Sequence, residues 1–206
     1  MKKSLLLLLF VLSLVATSAG FAPKPEEKIK IGLVQPMEHT SLNQIREAIL
    51  AELDALGLSD QITVDYKNAQ GDAANINTII TQFVGDEVDY IVPIATGPAQ
   101  VAAAATKTIP IVFAAVSYPV EAGLVTSLDV ADKNITGVSN AIAIENIFEL
   151  ALELTPDVKT FGFVYNTGEV NSVSSVERAK AYCNANGLKY VEATITNSGE
   201  LLQAAQ

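Results

Sequence analysis

Apolar residues along this chain follow two alternating rhythms: short near-continuous runs, and longer stretches spaced by three or four. The runs Ile29–Val34, Ile62–Tyr66, Tyr90–Ala95 and Pro110–Ala115 are rich in β-branched and aromatic residues and predict strands. Helical patterns lie between them. In Leu42–Leu56 the apolar positions Ile45, Ile49, Leu53 and Leu56 share one face, with Ser41 placed to cap the start and Gly57 to stop the end. Ile76, Ile79, Ile80 and Phe83 form the stripe of a second helix over Ala73–Phe83. The alanine-rich segment Ala99–Ala105 predicts a third, and Pro98 suits its first turn, where a missing N–H has no partner to lose.

Strands separated by helices in this way build βαβ units, and hence a parallel, doubly wound α/β sheet. Ligands of such sheets bind beyond the carboxyl ends of the strands. The loops at that edge are Gln35–Ser41, Asn68–Asp72, Thr96–Pro98 and Val116–Pro119. After Val120 the rhythm breaks: Glu121–Lys133 is irregular, and Ile135–Val138 reads as a short strand. It restarts with a helix over Glu145–Leu154, a strand over Thr160–Tyr165, a helix over Ser172–Asn186 stopped by Gly187, and a strand over Lys189–Thr194. Two lobes are therefore expected, 29–139 and 140–206, the second incomplete. A two-stranded parallel sheet leaves a broad apolar face uncovered, so the chain is expected to continue past Gln206.

The amino terminus changes the picture of where the protein works. Basic Met1-Lys2-Lys3, the apolar run Leu5–Val15 and small residues at Ala16–Ala19 together read as a secretory signal peptide over 1–19, with a flexible leader over 20–28. The apolar run is shorter than the about 20 residues of a spanning helix, so no stable membrane insertion is expected. A periplasmic or extracellular location follows, without a lipid anchor, since no cysteine stands beside the cut. Losing residues 1–19 removes Lys2 and Lys3 and no acid, leaving 11 bases against 23 acids, a net charge of −12. That balance argues against nucleic acid as a partner. Cys183 is the single cysteine, so no internal disulfide forms, and its helical neighbours Val176 and Ala179 predict a buried core residue.

Enzyme chemistry finds little support. His39 is the only histidine and no G-x-S-x-G elbow is present, which removes Ser-His-Asp and metal–histidine clusters. No catalysis, cofactor or metal is expected. The edge loops suit a small zwitterion instead. Thr96-Gly97-Pro98-Ala99 is a strand-to-helix turn that aims backbone N–H groups and the positive end of a helix at an anion. The turn is too short for a P-loop and has no lysine, so a carboxylate fits better than a phosphate, received by Thr96 and the N–H groups of Gly97 and Ala99. Glu38 or Glu169 is placed to pair with an ammonium. Gln35, Ser117, Tyr118, Asn166, Asn171 and Ser172 stand at the same edge, and Tyr118 and Tyr165 are candidates to stack on an apolar or aromatic side chain.

Five segments taken together resemble a known family: Gly32-Leu-Val-Gln-Pro-Met-Glu-His39, Tyr66-Lys-Asn-Ala-Gln-Gly-Asp72, Ile94-Ala-Thr-Gly-Pro-Ala-Gln100, Pro110-Ile-Val-Phe-Ala-Ala-Val116 and Tyr165-Asn-Thr-Gly-Glu-Val-Asn-Ser172. They are similar to the TrpX-type substrate-binding proteins of ABC importers, which have the type I periplasmic-binding-protein fold, and the resemblance runs from about Ile29 to the end. It implies a monomeric two-lobed clamp for an amino-acid-like ligand, aromatic or apolar by class, delivered to ABC permease subunits. By position it puts ligand contacts at Thr96–Ala99, Ser117–Tyr118 and Asn166–Ser172. Relatives commonly carry aspartate where this chain has Tyr118, many are lipoproteins, and relatives extend well beyond the equivalent of Gln206. A sensing component that hands the liganded form to a signalling receptor is the alternative reading.

Overall fold

The apolar runs pair as parallel strands in two separate sheets. The computed structural model describes residues 27–131 and 133–206, so the predicted signal peptide and most of the leader lie outside the described residues. The first unit contains β1 (Ile29–Gln35), α1 (Thr40–Ala55), β2 (Ile62–Asn68), α2 (Ala73–Gly85), β3 (Tyr90–Pro93), α3 (Thr96–Ala105), β4 (Ile111–Val116) and β5 (Ile135–Ser139). Its five strands lie in the order β2-β1-β3-β4-β5, all parallel. The second unit contains α4 (Ile144–Leu154), β6 (Thr160–Asn166), α5 (Val170–Ala185), β7 (Lys189–Ile195), a 3₁₀ turn at Ser198–Glu200 and a short α6 (Leu201–Ala204). β6 and β7 pair in parallel through all seven residues.

Helix ends show how local chemistry sets the connections. α1 begins one residue before Ser41, and the cap is His39, whose Nδ1 accepts from the Ser41 N–H at 3.3 Å. Gly57 takes φ +70, which lets Leu58 N donate to Leu53 O at 3.0 Å and Gly57 N to Asp54 O at 2.8 Å. This paired motif satisfies the last carbonyls of the helix. α2 is capped by Asp72, which accepts from Ala74 N at 2.7 Å. Its far end closes in the same way, but Glu87 occupies the left-handed position, with φ 50.

The core of the first unit lies between the sheet and the helices α2 and α3, with Ile80, Phe83, Ile91 and Ile111 buried in it, and Leu33 of β1 is buried as well. Close packing explains two glycines. A Cβ on Gly32 would stand 2.6 Å from the Phe83 ring, and one on Gly137 would run into the Phe113 carbonyl and ring. The second unit is held by rings. Phe148 of α4 meets Phe161 edge-on at 4.7 Å and stacks on Tyr182 at 4.6 Å, beside buried Ile144, Ala179 and Cys183. Burial pushes the Cys183 thiol pKa up, which keeps it a neutral core group. The other face of β6–β7 carries Gly162, Val164 and Val191, and Val191 is 63% exposed.

Candidate functional site: a cleft between the two units

The two units meet around a cleft of about 760 Å³, a volume typical of small-molecule sites. The first unit supplies an apolar surface from Pro36, Met37, Leu42, Ile45, Ala73 and Ile76, together with Ala95-Thr96-Gly97-Pro98, Ala115 and Ser117. Asn140 enters from the crossing segment. The second unit supplies Asn166, Thr167, Gly168, Glu169, Asn171 and Thr196. Among these lining residues Glu169 carries the only ionisable side chain, so the cleft combines one carboxylate with hydroxyls, amides and an apolar wall.

Two strained alanines shape the first unit's side. Ala95, at the start of α3, has φ 73 and ψ 169, and Ala115 has φ 56 at a bulge where β4 and β5 slip register between Ala114 and Val116. Such conformations cost of order 1–3 kcal/mol each and collect at ligand-binding positions. The Ala95 N–H donates to Ala114 O at 2.9 Å, which anchors the turn. Because α3 starts at Thr96, the Ala99 N–H is already used, donating to Ala95 O at 3.3 Å, and Ala99 is fully buried. The Ala99 N–H is therefore not available to an anion, and the N–H groups that precede the first helical hydrogen bond are those of Thr96 and Gly97. A Cβ on Gly97 would meet nothing within 4 Å, so this turn stands open.

Across the cleft, the Asn166 side chain accepts from Gly168 N at 2.9 Å and its carbonyl from Glu169 N at 3.2 Å, folding the loop into the start of α5. α5 begins at Val170, so Ser172 lies inside its first turn and donates to Glu169 Oε2 at 2.7 Å. Ser172 thus orients the carboxylate without lining the cleft.

Four further predicted residues point elsewhere. Gln35 is 0% exposed, and its Nε2 donates to Met37 O at 2.7 Å and Asn43 Oδ1 at 2.6 Å. Glu38 accepts from Asn43 at 2.9 Å and Asn68 at 2.5 Å. Arg46 completes this network, donating to Tyr66 Oη at 2.9 Å and lying 4.8 Å above the Tyr66 ring. The hydrogen bond to Tyr66 raises the Arg46 pKa, against the opposing effect of burial. The network holds the β1–α1 loop from behind and presents Pro36 and Met37 to the cleft. Tyr118, 6% exposed, turns to α5, with Ser175 Oγ at 3.4 Å and Arg178 over its ring at 4.6 Å. Tyr165 donates to Glu192 at 3.1 Å, and that bond, helped by burial, raises its pKa.

Sequence reasoning missed Met37, Ile45, Ile76, Asn140 and Thr196. Ile45 and Ile76 read as core because they belong to apolar stripes, but each lies early in its helix, where the stripe overhangs the strand ends. That early position is the signal that could have found them. A second cavity of about 610 Å³ lies beside Gln100, Lys107, Leu124 and Lys133. It belongs to the first unit alone, and Lys107 and Lys133 donate to the backbone at Ala103 and Gly123. The cleft is the stronger candidate because strand ends and helix starts of both units converge there. Among the described residues no helix is long and apolar enough to cross a membrane, and no acidic, His or Cys group is placed to hold a metal ion.

Residues 30–206 match the family described as ABC transporter substrate binding protein. The chain is 41% identical over 176 residues to a tyrosine-binding protein of Clostridioides difficile strain R20291, covering 84% of this chain and 51% of that one. It is similar to a domain from Streptococcus pneumonia solved in complex with L-Trp, at 36% identity and a TM-score of 0.83, over 86% of this chain and 61% of that one. Against the ligand-free, open structure of a substrate binding protein with adhesive properties from Clostridium difficile, identity is 40% and the TM-score 0.64, over 84% and 60%. The chain thus spans about half the length of the curated relative it matches and about six tenths of these two solved ones.

Proposed function

The chain belongs to the family of ABC transporter substrate binding proteins, and on that footing we propose that it captures an aromatic or other apolar amino acid outside the cytoplasm for an ABC importer. The observation that carries this reading is the composition of the cleft: one carboxylate, one open helix start and one apolar wall, contributed by two units. An amino acid presents the matching groups. Its carboxylate would accept from the Thr96 hydroxyl and the N–H groups of Thr96 and Gly97, at the positive end of α3. Its ammonium would pair with Glu169, and its side chain would lie on Met37, Leu42, Ile45 and Ile76. The ligands named for the relatives, tyrosine and L-Trp, support an aromatic side chain.

Function in this reading is a population shift. A ligand that touches both units favours the closed arrangement by its extra affinity for it, and the importer receives that form. The present arrangement is closer to the L-Trp complex than to the ligand-free open structure, with TM-scores of 0.83 and 0.64. Calorimetric titration of the intact exported protein with L-tyrosine, L-tryptophan, L-phenylalanine and L-leucine tests the reading. Binding of the aromatic acids is expected, and heat with none of the four would overturn it. Thr96→Val should weaken binding by roughly 1.5–3 kcal/mol, about tenfold to a hundredfold, the worth of a hydrogen bond to a charged group.

A further inference from the structure

Tyr118 turns away from the cleft towards the second unit, and the contact it makes there has a purpose of its own. The segment after β4 folds into a closed turn, with Ala122 N donating to Tyr118 O at 2.9 Å and Leu124 N to Pro119 O at 3.0 Å. This turn sets Tyr118 and Glu121 on one edge of the first unit. Opposite them, Ser175 and Arg178 sit three residues apart on α5 and share a face. Arg178 Nη2 lies 2.5 Å from Glu121 Oε1, its guanidinium covers the Tyr118 ring at 4.6 Å, and Ser175 Oγ reaches Tyr118 Oη at 3.4 Å. Ion pair, ring contact and hydroxyl contact together join residues 57 to 60 positions apart. All of them cross between the units, and all require the units to be close.

We propose that Tyr118, Glu121, Ser175 and Arg178 form a clasp that favours the closed arrangement without touching the ligand. They are positioning residues: they set how long a bound ligand stays, and they leave its direct contacts unchanged. The Arg178 and Glu121 side chains are 49% and 41% exposed, so the pair is screened by solvent and its influence is modest. With the ring contact added, the shift in the open–closed balance is about threefold to tenfold. The effect on ligand release rests on the amino-acid reading above; the effect on closure does not.

The experiment separates the two. Nitroxide labels at Glu52→Cys in α1 and Asp157→Cys before β6 report the separation of the units by pulsed dipolar spectroscopy in the intact protein, since buried Cys183 does not react. Without any ligand, Arg178→Ala should lower the ratio of short-distance to long-distance populations about threefold to tenfold, and Glu121→Gln, which keeps the ring contact, should lower it by less. The double variant should lower it no further than Arg178→Ala, and the exchanged pair Glu121→Arg with Arg178→Glu should restore the ion pair's share of it. Sodium chloride at about 0.5 M should open the wild type and leave Arg178→Ala unchanged. Stopped-flow dissociation of L-tryptophan and L-tyrosine should speed up by the same factor. If the clasp variants open the protein while neither amino acid binds the wild type, the clasp stands and the ligand reading falls. Unchanged distance distributions and an unchanged salt response in Arg178→Ala would overturn the clasp.

Discussion

The two units use the same strand–helix alternation yet hold together differently. In the first, α2 and α3 pack on one face of the sheet in a broad aliphatic core, and the fit is tight enough that Gly32 and Gly137 have no space for a Cβ, while Val112 and Val138 stand exposed elsewhere on the sheet. In the second, a single cluster of rings around Phe148 covers one face of β6–β7, while Val164 and Val191 stand exposed on the other. A Cβ on Gly162, in the middle of β6, would find only Val191 Cγ2, at 3.9 Å. The difference teaches that βα order specifies a fold without specifying how the stability is spread. The first unit distributes it over many aliphatic contacts, and the second concentrates it at one ring cluster.

Phe148→Ala should break this comparison hardest. Removing a buried ring at the hub of the second cluster costs about 3–5 kcal/mol. Hydrogen exchange should show protection lost across β6 and β7 and kept in β1 to β4. Equal loss in both sheets would mean that the two units unfold as one. Next comes Gly137→Ala, where the added methyl meets the Phe113 carbonyl, a group that cannot move without breaking the β4–β5 ladder. Overpacking of this kind costs about 2–3 kcal/mol, read as a lower urea midpoint.

Glu87→Gly acts in the opposite direction. The residue closes α2 with φ 50, a conformation that costs an L side chain about 1 kcal/mol and glycine very little. The substitution should raise the urea midpoint by a corresponding amount. Smallest of all is Gly162→Ala, expected within about 0.5 kcal/mol of the wild type by the same urea measurement. A large loss at Gly162 would show that this face of β6–β7 is packed in solution, and that the ring cluster does not hold the second unit alone.

How much of this was legible beforehand depends on distance along the chain. Strand and helix order, the parallel sheet and the edge at which the site lies all come from periodicities of two to four residues and from Gly57, Gly187 and Pro98 as punctuation. These are local properties, decided within one or two turns of backbone. Thr96, Gly97, Pro98, Ser117, Asn166, Glu169 and Asn171 reach the cleft because strand ends and helix starts carry them there in any sheet of this kind. The direction of a loop side chain is another matter, since it goes to whichever partner lowers its energy most. Gln35 and Glu38 turn from the cleft because Asn43, Arg46 and Asn68 offer hydrogen bonds behind the loop. Tyr118 turns across to Ser175 and Arg178, 57 and 60 residues later, and no spacing in the sequence foretells which helix will lie against it. Sequence alone therefore determined the elements and the edge where the cleft forms; tertiary packing decided which side chains at that edge line the cleft and which turn to partners behind it or on the other unit.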